Sequence, residues 1–371
     1  MSVNNSTLKA DTLILETKLD SGQLVTVSNL GFKGSFYTKP RYLSYLAGFS
    51  NFRFSRPEVE LLKKALHDEG CEVIDWELLG DDSLATLNFH VREQRIMSRL
   101  NTGLGYSSKE GLTGIADVYV SNVLGWREVF SLSGRRLSRY GLFFSFLSRV
   151  PNPLLLPFGV EASASFRSFD TTSFHLEAGG GVFIKRKNFE TLLGYAYELD
   201  RSDSLEISKN LATTRIKTWI INLDIKGGQR RSIKNSTYLK SVGSLNISIS
   251  LPWRFSISVN PNAGLVYSTD TLINTELIPL GGARSLRGYQ EEEFRAAGLV
   301  WSRQELRWGT EAFSIYPLFD AAWIPSYALF ASYGVGVAVG TPIGRLELDV
   351  ALPWAAPWQE AKVHLSLTSE F

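Results

Sequence analysis

The chain has 371 residues, enough for two domains, and its 12% aromatic content and 31 glycines suit many strands and tight turns better than a helical protein. A formal charge of +2, from 39 basic and 37 acidic residues, gives no reason to expect a nucleic-acid partner. The single cysteine, Cys71, excludes an internal disulfide framework and a cysteine-based zinc site; beside Val73 and Ile74 it reads as a small core residue. No run reaches the roughly 18 apolar residues of a spanning helix, and mean hydropathy is -0.04. A transmembrane barrel averages the same way, because it alternates lipid-facing apolar residues with lumen-facing polar ones.

Met1 to Thr7 lacks the charged and apolar regions of a signal peptide, so a processed or truncated form is expected. Residues 1–22, with Leu13, Leu15 and Gly22, read as a residual strand or linker. From Gln23 to Gln94 the order is β-α-α-β-β. Leu24, Val25, Val27 and Leu30 form a strand, and a short helix around Tyr42 to Leu46 follows Pro40. Ser55-Arg56-Pro57-Glu58 is a capping box with proline in the first turn, ahead of Val59, Leu62 and Leu66 on one helical face; Gly70 stops that helix. Cys71 to Leu79 and Leu84 to Arg92 complete the set as strands.

Beyond residue 95 the period becomes two. Leu245, Ile247, Ile249 and Leu251 alternate with polar residues, as do Phe158, Val160, Ala162, Ala164 and Phe166. Every tryptophan but Trp76 lies in this region, and Trp126, Trp253, Trp354 and Trp358 stand beside turns, where interfacial girdles place them. At ~9–11 residues per strand plus turns, residues 95–371 accommodate about 12 to 16 strands. Eleven are expected before a long loop at 270–294, among them 204–210, 215–226, 242–251 and 254–267, and five after it. The segment 204–210 is the weakest, and parity calls for it: a chain that enters a barrel from one side completes an odd number of strands before a loop on the other.

That loop carries Gly281-Gly282-Ala283-Arg284-Ser285-Leu286-Arg287-Gly288-Tyr289. The stretch resembles the lumen-loop signature of the BamA, TamA and two-partner-secretion (FhaC-like) superfamily of outer-membrane insertases and translocators, the bacterial surface antigen family. Gln304-Glu305-Leu306-Arg307 and Leu318-Phe319-Asp320 follow in the family's order, as do Ser332-Tyr333-Gly334-Val335-Gly336 and Thr341-Pro342-Ile343-Gly344. The family usually has Phe-x-Asp-x-Gly where this chain has Phe319-Asp320-Ala321-Ala322. The resemblance implies a 16-stranded barrel whose loop folds inward, so that Arg287, Gly288 and Tyr289, presented from Gly281 and Gly282, meet acidic Glu305 and Asp320 on the wall. Residues 23–94 resemble the periplasmic POTRA module that precedes such barrels. Val363, Leu365, Leu367 and Phe371 share one face of a last strand that resembles the outer-membrane insertion signal of bacterial barrels.

The resemblance implies protein transport and no enzyme, cofactor or metal. The expected function is insertion of unfolded outer-membrane clients through a POTRA domain and a lateral seam between the first strand, with Gly103, Leu104 and Gly105, and the last, with Leu365 and Phe371. Outer-membrane lipids and accessory assembly subunits complete the expected partners. The alternatives are a dedicated secretion pore of two-partner type and a barrel lipid-modifying enzyme; for location, an organelle outer envelope is the alternative to a bacterial outer membrane. His67, His90, His175 and His364 are too scattered for a metal or triad and suit solvent-facing or lumen polar roles. Glu291-Glu292-Glu293 reads as a solvated run, and Gly134-Arg135-Arg136 with Arg139 as a charged outer loop.

Overall fold

The computed structural model describes residues 2–9, 12–18, 25–34, 37–68, 71–81, 84–93, 98–107, 111–136, 141–186, 188–203, 205–325 and 327–370. It divides into two compact units, Met1–Gln94 and Arg95–Phe371.

In the first unit, β1 (Ser2–Lys9) and β2 (Thr12–Lys18) pair as an antiparallel hairpin, so the strand expected at Leu13 and Leu15 is the return arm of a ribbon. A second sheet has the order β4-β3-β6-β5, from β3 (Thr26–Lys33), β4 (Phe52–Arg53), β5 (Cys71–Asp81) and β6 (Leu84–Glu93). β3 and β6 are parallel, which demands a crossover; α1 (Pro40–Leu46) and α2 (Arg56–Asp68) lie on it. The Ser55 hydroxyl accepts the Glu58 N–H at 3.4 Å, one half of the expected capping box. Val59, Leu62 and Leu66 of α2 pack with Val27, Leu87, Phe89 and Val91 in a core that also buries Cys71. Gly22 and Gly70 lie outside the described residues.

The second unit is a closed antiparallel barrel of 16 crossings. Before the long loop come β7 (Ser98–Ser107), β8 (Gly111–Ser121), β9 (Val129–Arg136), β10 (Leu142–Val150), β11 (Gly159–Ser168) and β12 (Phe174–Arg186). They are followed by β13 (Phe189–Ser202), β14 (Leu205–Thr218), β15 (Ile221–Arg231), β16 (Asn235–Leu245), β17 (Ile247–Leu251) and β18 (Phe255–Ser268). Two short strands, β19 (Ile278–Leu280) and β20 (Phe294–Ala296), belong to the loop. After it come β21 (Gly298–Gly309), β22 (Phe313–Ile324), β23 (Ala328–Thr341), β24 (Gly344–Pro353) and β25 (Lys362–Glu370), which closes on β7. β16 and β17 are two parts of one crossing, and both pair with β18. Their break falls at Asn246, next to the position facing Pro261, whose missing N–H removes a rung of the ladder.

The expected strand count is right, but boundaries in the middle are shifted. The segment 204–210 is only the first part of the 14-residue β14, and 215–226 straddles a turn. That turn, at Trp219 and Ile220, has no glycine or proline; instead the Thr218 hydroxyl accepts the N–H groups of Ile220 at 3.2 Å and Ile221 at 2.9 Å. The crossing expected at 242–251 begins earlier, at Asn235. Gly227-Gly228, which looks like a turn, lies inside β15, where a side chain on Gly228 would sit 2.1 Å from the Asn210 carbonyl oxygen of β14.

The two faces of the wall are chemically opposite. Along β22, Ser314, Tyr316, Leu318, Asp320, Ala322 and Ile324 are buried while Phe313, Ile315, Phe319 and Trp323 point outward and are exposed. Leu193, Tyr195, Ile249, Leu265, Val335 and Leu348 extend the apolar outer surface around the barrel. Trp219 and Trp253 stand exposed in turns at one rim, and Trp354 and Trp358 in the β24–β25 loop at the other. An apolar band between two aromatic rims is the surface that a bilayer covers. Purified in detergent, the protein is expected to be β-rich by circular dichroism and to migrate faster on gels before heating than after; a monodisperse protein in detergent-free buffer would contradict the lipid-facing assignment.

Candidate functional site

The connection from β18 to β21 turns inward and is built as a small structure of its own. β19 and β20 pair as its arms, Ile278 with Ala296 through Leu280 with Phe294. At the tip the Gly281 N–H donates to the Ser285 hydroxyl at 2.9 Å and the Gly282 N–H to the Leu286 carbonyl at 3.1 Å. The Glu291 carboxylate accepts the Ala283 N–H at 2.9 Å. Leu280, Leu286 and Ile278 pack with Leu211, Val266, Leu299 and Ala322, whose side chains face the same interior. Irregular backbone is tolerated at membrane depth only where protein or a lumen surrounds it, and the loop meets that condition.

Arg287 has no exposed surface. Its backbone N–H and Nε both donate to Asp320 Oδ2 at 2.9 Å, and Nη2 donates to Asp320 Oδ1 at 2.8 Å. Nη1 donates to Glu305 at 2.6 Å and to Asp349 at 3.3 Å. Burial alone would push this guanidinium down from its ordinary pKa, but the hydrogen bonds and charge of Asp320, then Glu305 and Asp349, more than reverse it and hold it charged. Arg303 and Arg307 flank Glu305, Arg307 and Arg345 share Glu347, and the Tyr316 hydroxyl donates to Asp349 at 2.7 Å. Four cations thus face four carboxylates on β21, β22 and β24 and the loop tip. Gly288 has φ +90°, and a side chain there would lie 3.0 Å from Ser332 Cβ and the Leu352 carbonyl carbon, so this position needs glycine twice over. Tyr289 donates to the Ala331 carbonyl at 3.0 Å and packs on Phe294 and Phe330.

The structure therefore brings Gly281, Gly282, Arg287, Gly288, Tyr289, Glu305 and Asp320 together, and Asp320 is the bidentate partner despite the missing family glycine after it. Asp349 joins them without having been anticipated; it is acidic on the inward face of a strand far along the chain, and only the barrel's curvature sets it beside Arg287. At the seam, Gly103, Leu104 and Gly105 stand opposite Ser366, Leu365 and His364. Phe371 lies outside the described residues, as does Arg139. The run at 291–293 is not simply solvated: Glu291 and Glu292 are half-buried, and Glu292 pairs with Arg295 at 2.6 Å and Arg167 at 3.5 Å. Burial pushes the Glu291 carboxyl up, and the Ala283 N–H partly offsets it.

A second anchor was not visible in the sequence. Glu276, at the base of the loop and almost fully buried, receives Arg230 of β15 on both carboxylate oxygens at 2.9 and 3.0 Å. Lys209 reaches Glu276 at 3.3 Å and also binds Glu198 and Asp200. His175, Glu177 and Glu198 lie close enough to suggest a metal site, but Lys226 already holds both glutamates, at 2.6 and 3.1 Å, and His175 is bound to Asp200 at 2.9 Å. The group is accounted for as an ion-pair network. Removing one member of a buried pair strands the other charge, so Arg287→Ala is expected to destabilise the folded loop by ~3–5 kcal/mol. Double-mutant cycles in chemical unfolding should give the largest coupling with Asp320→Ala and smaller ones with Glu305→Ala and Asp349→Ala. Coupling near zero with all three would refute these pairs as the anchor of the loop tip.

Comparison with known proteins agrees with this geometry. A family model described as the Omp85 superfamily domain matches residues 184–371, just over half of the chain, and spans the loop with Arg287, Glu305, Asp320 and Asp349. No curated protein matches the sequence. Among solved structures, BamA from Haemophilus ducreyi lacking POTRA domains 1-3 is similar with a TM-score of 0.67 and 16% identity, over 100% of this chain and 90% of that one. CdiB from Acinetobacter baumannii is similar with a TM-score of 0.61 and 12% identity, over 94% and 74%. CdiB from Escherichia coli follows at 0.52 and 12%, over 96% and 92%. At such identities the likeness is one of fold, whereas the family match rests on this chain's own residues. With its 16-stranded barrel and the inward loop after the eleventh crossing, the chain belongs to the Omp85 superfamily of outer-membrane barrels.

Proposed function

We propose that the protein is an insertase of the bacterial outer membrane, which takes unfolded barrel proteins from the periplasm and releases them into lipid through the junction of β7 and β25. The observation that carries this reading is the make-up of that junction. It joins the first and last strands of the barrel by eight residue pairs, as many as β8–β9 and one more than β24–β25, but no turn links its two strands as turns link those neighbours. On its lumen side Gly103 faces Ser366, so cross-strand side-chain contact there is slight; Leu104 and Leu365 face each other on the lipid side. The junction can therefore part without straining a hairpin turn, and a parted wall offers two unpaired edges to a client strand.

From β3 onward, apart from the two-residue β4 between its helices, the N-terminal unit follows the β-α-α-β-β order of a POTRA module, and likeness to the BamA structure extends over the whole of this chain. In this reading it lies in the periplasm. Its sheet ends on β5, an eleven-residue edge strand able to accept an extended client by strand addition. Free energy comes from folding of the client in lipid; no nucleotide or cofactor enters the reaction. Accessory assembly subunits and lipids of the outer membrane are its further partners.

Cysteines at Leu104 and Leu365, directly opposed across the junction, in a Cys71→Ser background, test the route. The disulfide is expected to form, to stop insertion of a client barrel into proteoliposomes, and to release the block on reduction. Normal insertion by the crosslinked barrel would overturn lateral release and favour a secretion pore that passes its partner through the lumen.

A further inference from the structure

Arg284 lies three residues before Arg287 on the same loop tip, yet its guanidinium goes to a different part of the wall. It binds Asp117 on β8, and the same carboxylate accepts hydrogen bonds from the Ser133 hydroxyl of β9 and, at 3.4 Å, from the Asn101 amide of β7. Arg287 meanwhile reaches Asp349 on β24 at 3.3 Å. Between β24 and β8 lie only β25 and β7, the strands of the closing junction. A cavity of about 220 Å³, lined by Gly103, Arg284, Asp349 and His364 among others, separates the loop tip from that junction. The loop therefore does not press on the closing strands; it holds the wall on either side of them.

We propose that Arg284 and Asp117 are a positioning pair which, together with Arg287 and Asp349, ties both flanks of the β7–β25 junction to one loop tip, so that the junction parts only when Arg284 leaves Asp117. The two ties differ in strength by design of their surroundings. Arg287 is fully buried among three carboxylates, whereas the Arg284 and Asp117 side chains are 40% and 22% exposed. A partly exposed pair of this kind shifts an equilibrium only about three- to fivefold. That suits a tie that must release while the deeper one keeps the loop in place. The inference rests on the junction being the opening seam, but the tie itself is read without a client.

Amide hydrogen exchange on the full chain in detergent reads the opening of each strand pair separately. Arg284→Ala and Asp117→Ala should each speed exchange in β7 and β25 about three- to fivefold and leave β12 and β13 unchanged. The exchanged pair, Arg284→Asp with Asp117→Arg, should return β7 and β25 toward the original rate. Arg284→Gln, a loop substitution outside the strands, carries the test should Asp117→Ala fail to fold. Unchanged exchange at β7 and β25, or an equal rise in every strand, would overturn the proposal. Faster exchange at β7 and β25 with client insertion unaltered would uphold the tie and count against lateral release as the insertion route.

Discussion

The guanidinium of Arg287, fully buried between Asp320, Glu305 and Asp349, decides where the loop lies and so what occupies the barrel. Replacing such an ion pair with well-packed apolar groups is often neutral or stabilising, whereas removing one partner costs several kcal/mol. The interaction therefore acts through position more than through net stability. Only one placement of the tip brings the Arg287 backbone N–H and two of its guanidinium nitrogens onto the two oxygens of Asp320. A loop displaced by one residue would take Arg287 off Asp320 and Asp349 and leave the buried Asp320 carboxylate without its cation.

The other anchors follow the same rule at other points of the wall. Glu276 and Arg230 hold the base of the loop to β15, Arg287 holds the tip to β21, β22 and β24, and Arg284 reaches β8. Inward-facing charges without bulk solvent must be paired, so the interior forms networks such as Lys209 with Glu198 and Asp200. Outward-facing positions answer to lipid instead and carry Leu193, Leu265, Val335 and Leu348. One alternation along each strand thus serves both a bilayer and an electrostatic scaffold for the loop, and closure of β25 on β7 leaves no permanent sheet edge in the membrane.

The sequence by itself determined what depends on neighbours along the chain. Period-two alternation, tryptophans beside turns and the parity of the crossings are local properties, and they led to 16 strands with a long loop after the eleventh. Proline and serine at Ser55-Arg56-Pro57 marked the start of α2 for the same reason. Even there, chemistry without a compositional flag escaped: the Thr218 turn has no glycine or proline, and Gly227-Gly228 imitates a turn inside β15 because the backbone of β14 comes close. Arg287, Glu305 and Asp320 were legible only because their order resembles a family's.

What the tertiary structure alone decided is which distant charges meet. Asp349 is 62 residues from Arg287, Glu276 is 46 from Arg230, and Asp117 is 167 from Arg284. Nothing in the spacing of these residues announces a pair, since the curvature of the wall and the depth of the loop set their separations. An acidic residue on the inward face of a strand can be recognised from alternation, but its partner is chosen by where the closed barrel carries it.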